Sequence, residues 1–400
     1  MLVNSIQILS CLLFPAASIV LAKRFRVAEW LGPVVLCYLF GMLLANINAI
    51  PGLSGATMNQ KVAEPMIFLG VAFSIPLLLY ATDFIRWLRL AKTTLISFVI
   101  MLLAVLIASS AVFFLLGSQI KDAHKVSGML VGLYTGGTPN MSAIGLSVGV
   151  DKARFALVNG IDLMLGGAYL LCLLTFAQKV ALRFLPPFKA PDAADSDNEE
   201  APSEADLALA GGEGKGISTK ETMQGTLKGL GLTLVVVAIS AGLAIAVYGK
   251  LDDTSLPLVF LSLSTLSILA SFSPKIRSLP GTFQAGEYTL LIFCVAIGTL
   301  TDLQKLAAAA NPSLLLYIAS VMFGALLLHF IAMAVLKIDA DTAIITSTAG
   351  VYGAPFIVPV ANALKNKHVI VSGLMTSLVG YALGTYMGIG LSYVLKSLGG

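Results

Sequence analysis

Gly136-Gly137-Thr138-Pro139-Asn140 stands in the middle of one hydrophobic segment, and Tyr352-Gly353-Ala354-Pro355-Phe356 in the middle of another, at the corresponding point of the chain's second half. A helix in lipid has to satisfy its own backbone hydrogen bonds, because no water is there to do it. Glycine admits backbone angles closed to other residues. A proline beside it lacks an N–H and disturbs the preceding turn. Both stretches therefore predict a helix interrupted inside the membrane, with backbone groups left free to bind something. Broken helices at matching places in two halves point to the binding site of a transporter.

The composition agrees with a membrane setting: 57% of residues are hydrophobic and only 12% charged, against roughly 25% charged in soluble domains. The expected fold is all-α, a polytopic transmembrane helix bundle of about 12 spans with two structural repeats, each carrying a broken helix. The apolar segments run over 4–22, 30–46, 65–82, 93–117, 127–149 and 155–182, then 226–249, 256–272, 286–301, 312–336, 342–363 and 369–396. Residues 1–185 form the first repeat and 225–400 the second. Between them, 186–224 starts with Pro186-Pro187, turns acidic from Asp192 to Asp206 and is glycine-rich from Gly211 to Gly216. Such a composition buries too little apolar surface to fold and reads as a flexible linker.

The halves echo each other. Ile50-Pro51-Gly52 precedes the third segment as Leu279-Pro280-Gly281 precedes the ninth, and Glu64 and Asp83 bracket the third as Glu287 and Asp302 bracket the ninth. These four acids are expected at solvated span ends. Lys23, Arg24 and Arg26 follow the first apolar run, so that run reads as a retained span and not a cleaved signal. Loop charges give opposed orientations. In the first half Lys23, Arg24, Arg26, Arg86, Arg89, Lys92, Lys152 and Arg154 outnumber Lys61, Lys121 and Lys125, which puts the N-terminus outside. The basic residues flanking the linker favour the cytoplasm for a segment that six spans would place outside.

Several classes drop out. The net charge of +4 is spread over short loops, so no nucleic-acid partner is expected. Cys11, Cys37, Cys172 and Cys294 fall in apolar segments without metal or redox spacing. No phosphate-binding loop, zinc helix or nucleophile elbow is present, so neither an enzyme nor a cofactor is expected. The partners are a small-molecule or ion substrate and the lipid bilayer of the inner (cell) membrane.

The candidate substrate site is Gly136, Gly137, Thr138, Pro139 and Asn140 with Tyr352, Gly353, Ala354 and Pro355. A half-helix starting after Pro139 turns its positive dipole end inward, and one ending near Gly136 turns bare carbonyls inward. The first break carries Thr138 and Asn140 as side-chain ligands; the second has Ala354 and Phe356 in those places. Asp162 is the sharpest single residue. It lies well inside the sixth segment, three residues after Asn159 and on the same helical face. A carboxylate at the centre of a membrane helix costs roughly 2.5–3.5 kcal/mol on insertion scales. It is expected to hold a sodium ion or a proton, unless Arg154 two turns back satisfies it. Ser372 and Thr376 occupy the matching part of the twelfth segment and complete the candidate cation-coupling set. His329 reads as a histidine hydrogen-bonded to a neighbour.

Thr135-Gly136-Gly137-Thr138-Pro139-Asn140 with Ala143-Ile144-Gly145, and Gly353-Ala354-Pro355-Phe356-Ile357-Val358-Pro359-Val360 with Ala363-Leu364-Lys365-Asn366-Lys367, resemble the YjcL-like family of uncharacterised membrane proteins. That family is similar to the superfamily of cation–proton antiporters and anion transporters. The resemblance implies a core of two crossing broken helices that moves against a panel or dimerisation domain, and hence a homodimer. In the antiporter branch an Asn-Asp or Asp-Asp pair follows the first broken helix. Here Asn159 and Asp162 are separated by two residues, and the basic residue of the second half is replaced by hydroxyls. The departures suit a sodium- or proton-coupled carrier of a small anionic or zwitterionic solute. A cation/proton antiporter without organic solute and a non-transporting membrane scaffold are the alternatives.

Overall fold

The structure is a computed structural model that describes residues 2–46, 60–83, 92–189, 219–252, 254–300 and 312–399. All regular structure among the described residues is helical. The first half contributes α1 (Leu2–Arg24), α2 (Arg26–Asn46), α3 (Gln60–Leu79), α4 (Lys92–Leu116), α5 (Ala123–Gly136), α6 (Thr138–Ser147), α7 (Lys152–Thr175) and the short α8 (Ala177–Ala181). The second contributes α9 (Thr219–Tyr248), α10 (Leu256–Ser271), α11 (Pro274–Arg277), α12 (Thr282–Thr299), α13 (Pro312–Leu336), α14 (Ala340–Tyr352), α15 (Ile357–Leu364) and α16 (Val369–Gly399).

Among the described residues, seven of these helices are long and apolar enough to cross a bilayer: α1, α3, α4, α7, α9, α13 and α16. The remaining apolar segments fold as shorter or interrupted helices. In α2 the backbone leaves helical angles at Gly32 (φ 74°, ψ 158°). The segment expected over 155–182 is divided at Phe176. The expected linker is not all irregular. Pro186 accepts a hydrogen bond from the Ala340 N–H at 3.0 Å, and Phe188 stacks on His368 with ring centroids 6.1 Å apart. At its other end α9 already starts at Thr219. Residues 190–218, Ile50-Pro51-Gly52 and Asp302 lie outside the described residues.

Helices of the two halves interleave. α3 packs along α12, α4 along α13, and α5 along α16. Small residues let backbones approach in membrane bundles, where no hydrophobic effect drives helices together. α5 has glycine at every fourth position, Gly128, Gly132 and Gly136; α16 has Gly380, Gly384 and Gly388. A methyl group on Gly128 would stand 2.6 Å from the Gly388 carbonyl oxygen, and one on Gly136 would stand 2.6 Å from that of Gly380. This seam sinks α5 so deeply that every residue from Val126 to Gly136 is buried. α2 meets α12 in the same manner, Gly298 against the Tyr38 carbonyl. The outer faces are apolar. Ile107, Phe114 and Leu115 of α4, Leu327 and Val335 of α13, and Leu234 of α9 are all exposed, as lipid contact requires.

Candidate functional site at the meeting of two helix ends

α5 ends and α6 begins at Gly137, with φ 74° and ψ −165°. α14 ends at Gly353, with φ 78° and ψ −167°. These are the same backbone state at both places, in a region that essentially only glycine occupies. Each glycine N–H still closes the last turn of its helix, Gly137 onto Leu133 at 2.8 Å and Gly353 onto Ala349 at 3.2 Å. The continuations differ. From Thr138 the chain enters the ten-residue α6 directly, whereas Ala354–Phe356 make a 3₁₀ turn before α15. The two ends meet: a methyl on Gly137 would lie 3.8 Å from the Tyr352 carbonyl oxygen, and one on Gly350 would lie 3.0 Å from that of Tyr134.

Asp162 stands beside this meeting point. It is ten residues into α7, which at the helical rise puts it ~15 Å from that helix's start. The residue is half-buried, but its Oδ1 is fully buried and has no hydrogen-bond partner. Tyr134 of α5 and Tyr352 of α14 are the polar side chains that face it. The Tyr134 ring is completely buried, and its hydroxyl also lacks a partner. Arg154 does not neutralise Asp162; its Nη1 donates to the Lys121 carbonyl at 2.8 Å. An uncompensated carboxylate in an apolar site either matches its charge with a cation or takes up a proton. For a sodium ion the side-chain donors here are the carboxylate and the tyrosine hydroxyls, so further oxygens would come from carbonyls freed at the breaks.

The other sequence-derived candidates divide. Gly136, Pro139 and Ala354 are buried at the junction, and Thr138, Tyr352 and Pro355 are half-buried there. Asn140 is tied up. Its Nδ2 donates to the Gly380 carbonyl at 3.0 Å, and its Oδ1 accepts from Thr385 at 3.2 Å, so it fastens α6 to α16. Asn159 is buried on α7. Ser372 and Thr376 are on α16: the Ser372 hydroxyl bonds back to Val369, and the buried Thr376 hydroxyl has no partner. His329 is buried with Nε2 3.2 Å from the Ala343 carbonyl and 3.5 Å from Thr346 Oγ1, which in turn meets Ser97 at 2.6 Å.

Some residues around the junction escaped sequence reasoning. Tyr169 of α7 bonds Ser347 of α14 at 2.9 Å and lies face to face with Tyr352, centroids 6.1 Å apart. Phe356 adds a third ring 5.1 Å from Tyr352. Tyr381 of α16 brings its hydroxyl to the second break, where a methyl on Gly353 would stand 2.6 Å from it. The signal for Tyr381 was its place next to Gly380 in a four-residue glycine spacing. Asp341, in the first turn of α14, is buried and fully engaged, accepting from Gln178 at 2.7 Å and Asn366 at 2.9 Å. Beside it Asp339 caps α14 by accepting the Thr342 N–H at 2.8 Å, and burial lifts its carboxyl above the ordinary range.

Of the four acids expected at span ends, two behave so: Glu64 pairs with Lys152 and Asp83 with Arg277, both at 3.1 Å. Glu287 does not. α12 starts at Thr282, so Glu287 lies more than a turn inside and is half-buried. It makes no hydrogen bond or ion pair among the described residues.

Comparison with known proteins supplies relatives. Residues 10–398 match the model of a family described as "Protein of unknown function (DUF819)". The chain is 23% identical over 391 residues to the "Uncharacterized membrane protein YjcL" of Bacillus subtilis (strain 168), covering 93% of this chain and 92% of that protein. With its helices of membrane-spanning length, the chain is a multi-pass membrane protein.

Proposed function

The chain belongs to the DUF819 family, and on that premise we propose that it is a secondary active transporter moving a small anionic or zwitterionic solute, coupled to sodium or protons by alternating access. About twelve segments form two repeats, and each repeat gives one discontinuous helix to the site. The solute sits where α5 and α6 meet α14 and α15, against Thr138 and the helix N-termini. Asp162, with Asn159, takes the coupling cation, and Ser372 and Thr376 line the second repeat's side of its path. One bundle rocks around this fixed site.

The observation that carries the reading is Asp162 Oδ1, buried and unpartnered beside an equally unpartnered Tyr134 hydroxyl, where two helix ends of identical backbone state touch. A scaffold has no use for either feature. The occupied amide of Asn140 favours a second reading, a cation/proton antiporter without organic solute, because it removes one solute ligand. Vesicles separate the two: an antiporter changes the internal pH when sodium alone is added.

The first test is thermal stability of the purified protein with sodium titrated against choline at several pH values. Ligand at ~100 times Kd stabilises by about 2.7 kcal/mol. Wild type gains stability from sodium or from acidification, and Asp162→Asn loses the gain. An undiminished gain in Asp162→Asn removes Asp162 from the site.

A further inference from the structure

We infer that the candidate site lies between the tips of two re-entrant hairpins that dip into the membrane from opposite faces, α5–α6 from outside and α14–α15 from the cytoplasm. As a solute site it rests on the transporter reading above; the topology stands apart from that reading.

Each break turns the chain back along itself. In the first hairpin, a methyl on Gly132 would stand 3.2 Å from the Asn140 backbone and against Ile144, and one on Gly145 would stand 3.6 Å from the Met129 sulfur. Farther from the tip, Lys125 Nζ donates to the Gly149 carbonyl at 3.0 Å, and Arg154 donates to that of Lys121. All these pairs are centred near Gly137, as two antiparallel legs require. In the second hairpin, the Asn366 amide donates to Asp341 at 2.9 Å, and Gln178 Nε2 bridges Asp341 and the Leu364 carbonyl at 2.7 and 3.3 Å. These pairs are centred near Gly353, so Asp341 ties the base of that hairpin together. A leg of 13 or 14 residues reaches ~20 Å, short of the ~30 Å hydrocarbon core. The apolar segments 127–149 and 342–363 therefore enter and leave by the same face.

α7 separates the two bases. Arg154 in its first turn bonds the first base, and Gln178, just past its end, bonds the second. Its 24 residues span ~36 Å, enough to carry the chain from one face to the other. α4 and α13, which lead into the hairpins, agree. Near the start of α4, Ser97 meets Thr346, which lies 3.5 Å from His329 in the later part of α13. In the later part of α4, Ser109 donates to the Ser127 carbonyl at 3.2 Å, and the Ser127 hydroxyl meets Tyr317, near the start of α13, at 2.5 Å. The two packed helices are antiparallel, so the hairpins that follow them enter from opposite faces.

Charge assigns the faces. The chain reaches the linker at the second base, where Pro186 and Phe188 lie. Lys179, Arg183, Lys189, Lys337, Lys365 and Lys367 near that base outnumber Lys121, Lys125, Lys152 and Arg154 at the other, which makes it cytoplasmic. With α5–α6 re-entrant, five crossings join an external N-terminus to a cytoplasmic linker. The two loop-charge readings that conflict for six spans then agree, and the halves become inverted repeats. The tips touch beside Asp162, so α5–α6 parts the site from the outer face and α14–α15 parts it from the cytoplasm. Withdrawing either hairpin opens the site to its own side.

The test labels lysines of the wild-type, full-length protein with a charged biotin succinimidyl ester that does not cross membranes. Intact cells expose the outer face and inverted membrane vesicles the cytoplasmic one, and modified peptides are mapped by mass spectrometry. Lys121 and Lys152 bracket the first hairpin; Lys337 and Lys367 bracket the second. The expected result is several-fold more label on Lys121 and Lys152 in cells, and several-fold more on Lys337 and Lys367 in inverted vesicles. Lys152 pairs with Glu64, so Asp151→Cys with a charged maleimide repeats the measurement in the same loop. Two ends of either hairpin on different faces, all four lysines on one face, or the two pairs on interchanged faces overturns the inference. Any of these leaves the transporter reading to be judged by the Asp162-dependent ion stabilisation, which needs no topology.

Discussion

Tyr352, the last residue of α14, donates its hydroxyl to the carbonyl oxygen of Gly166, 2.5 Å away and one turn beyond Asp162 on α7. The C-terminal end of α14 is thereby fixed to the helix that carries Asp162. Tyr352→Phe removes this tie and keeps the ring stack with Tyr169. The intrinsic cost is that of one hydrogen bond, about 0.5–1.5 kcal/mol. The expected outcome in thermal unfolding is a small fall in basal stability with a larger fractional loss of the ion-dependent gain.

Gly137 and Gly353 share a backbone state that costs other residues about 1–3 kcal/mol. Gly137→Ala and Gly353→Ala should each lower stability by that order, Gly353→Ala more, since the added methyl also meets the Tyr381 hydroxyl. Gly242→Ala is the control. It lies within α9 with nothing within 4 Å of the added carbon, and replacing a helical glycine there gains up to ~1 kcal/mol. Equal effects at all three positions would remove the special status of the breaks.

The seam between α5 and α16 makes a sharper prediction. Gly384→Val forces a branched side chain against Thr135 and Asn140. The yield of monodisperse protein in gel filtration should collapse. Gly390→Val, six residues along α16 in open space, should leave the yield near wild type.

Arg154 bonds the Lys121 carbonyl and not Asp162. Arg154→Ala and Asp162→Asn should therefore add in their effect on unfolding free energy to within ~0.3–0.5 kcal/mol, as independent sites do. A larger coupling would mean that the arginine does serve as the counter-charge.

The sequence made the membrane class legible through its apolar runs, and it marked both breaks, because glycine beside proline has a local meaning that packing does not alter. Asp162 was legible because one carboxylate in a long apolar run is conspicuous. Glu287 was misplaced for a physical reason. The apolar run starts at residue 286, but the helix starts at Thr282, where Gly281 in a left-handed conformation begins it (φ 82°). The polar Thr282 and Gln284 hid that first turn. Tyr134 and Tyr169 carried no signal in the sequence, since an aromatic in an apolar helix reads as core until its neighbours across the bundle are known. Asn140 was legible as a polar group beside Pro139 and was expected to hold the solute; its bonds to Gly380 and Thr385, residues some 240 positions later, were not legible.

The glycine seam also bears on biosynthesis. α5 is enclosed from Val126 to Gly136, yet the helix that covers it, α16, is made only more than 230 residues later. Until Val369–Gly399 has entered the bilayer, the centre of the first half waits without its neighbour, and its glycine face is open to lipid or to a chaperone. Removing even the last turns of α16 should thus harm the middle of the protein more than its edge, and a nascent chain paused after residue 364 should be open to proteolysis throughout its first half.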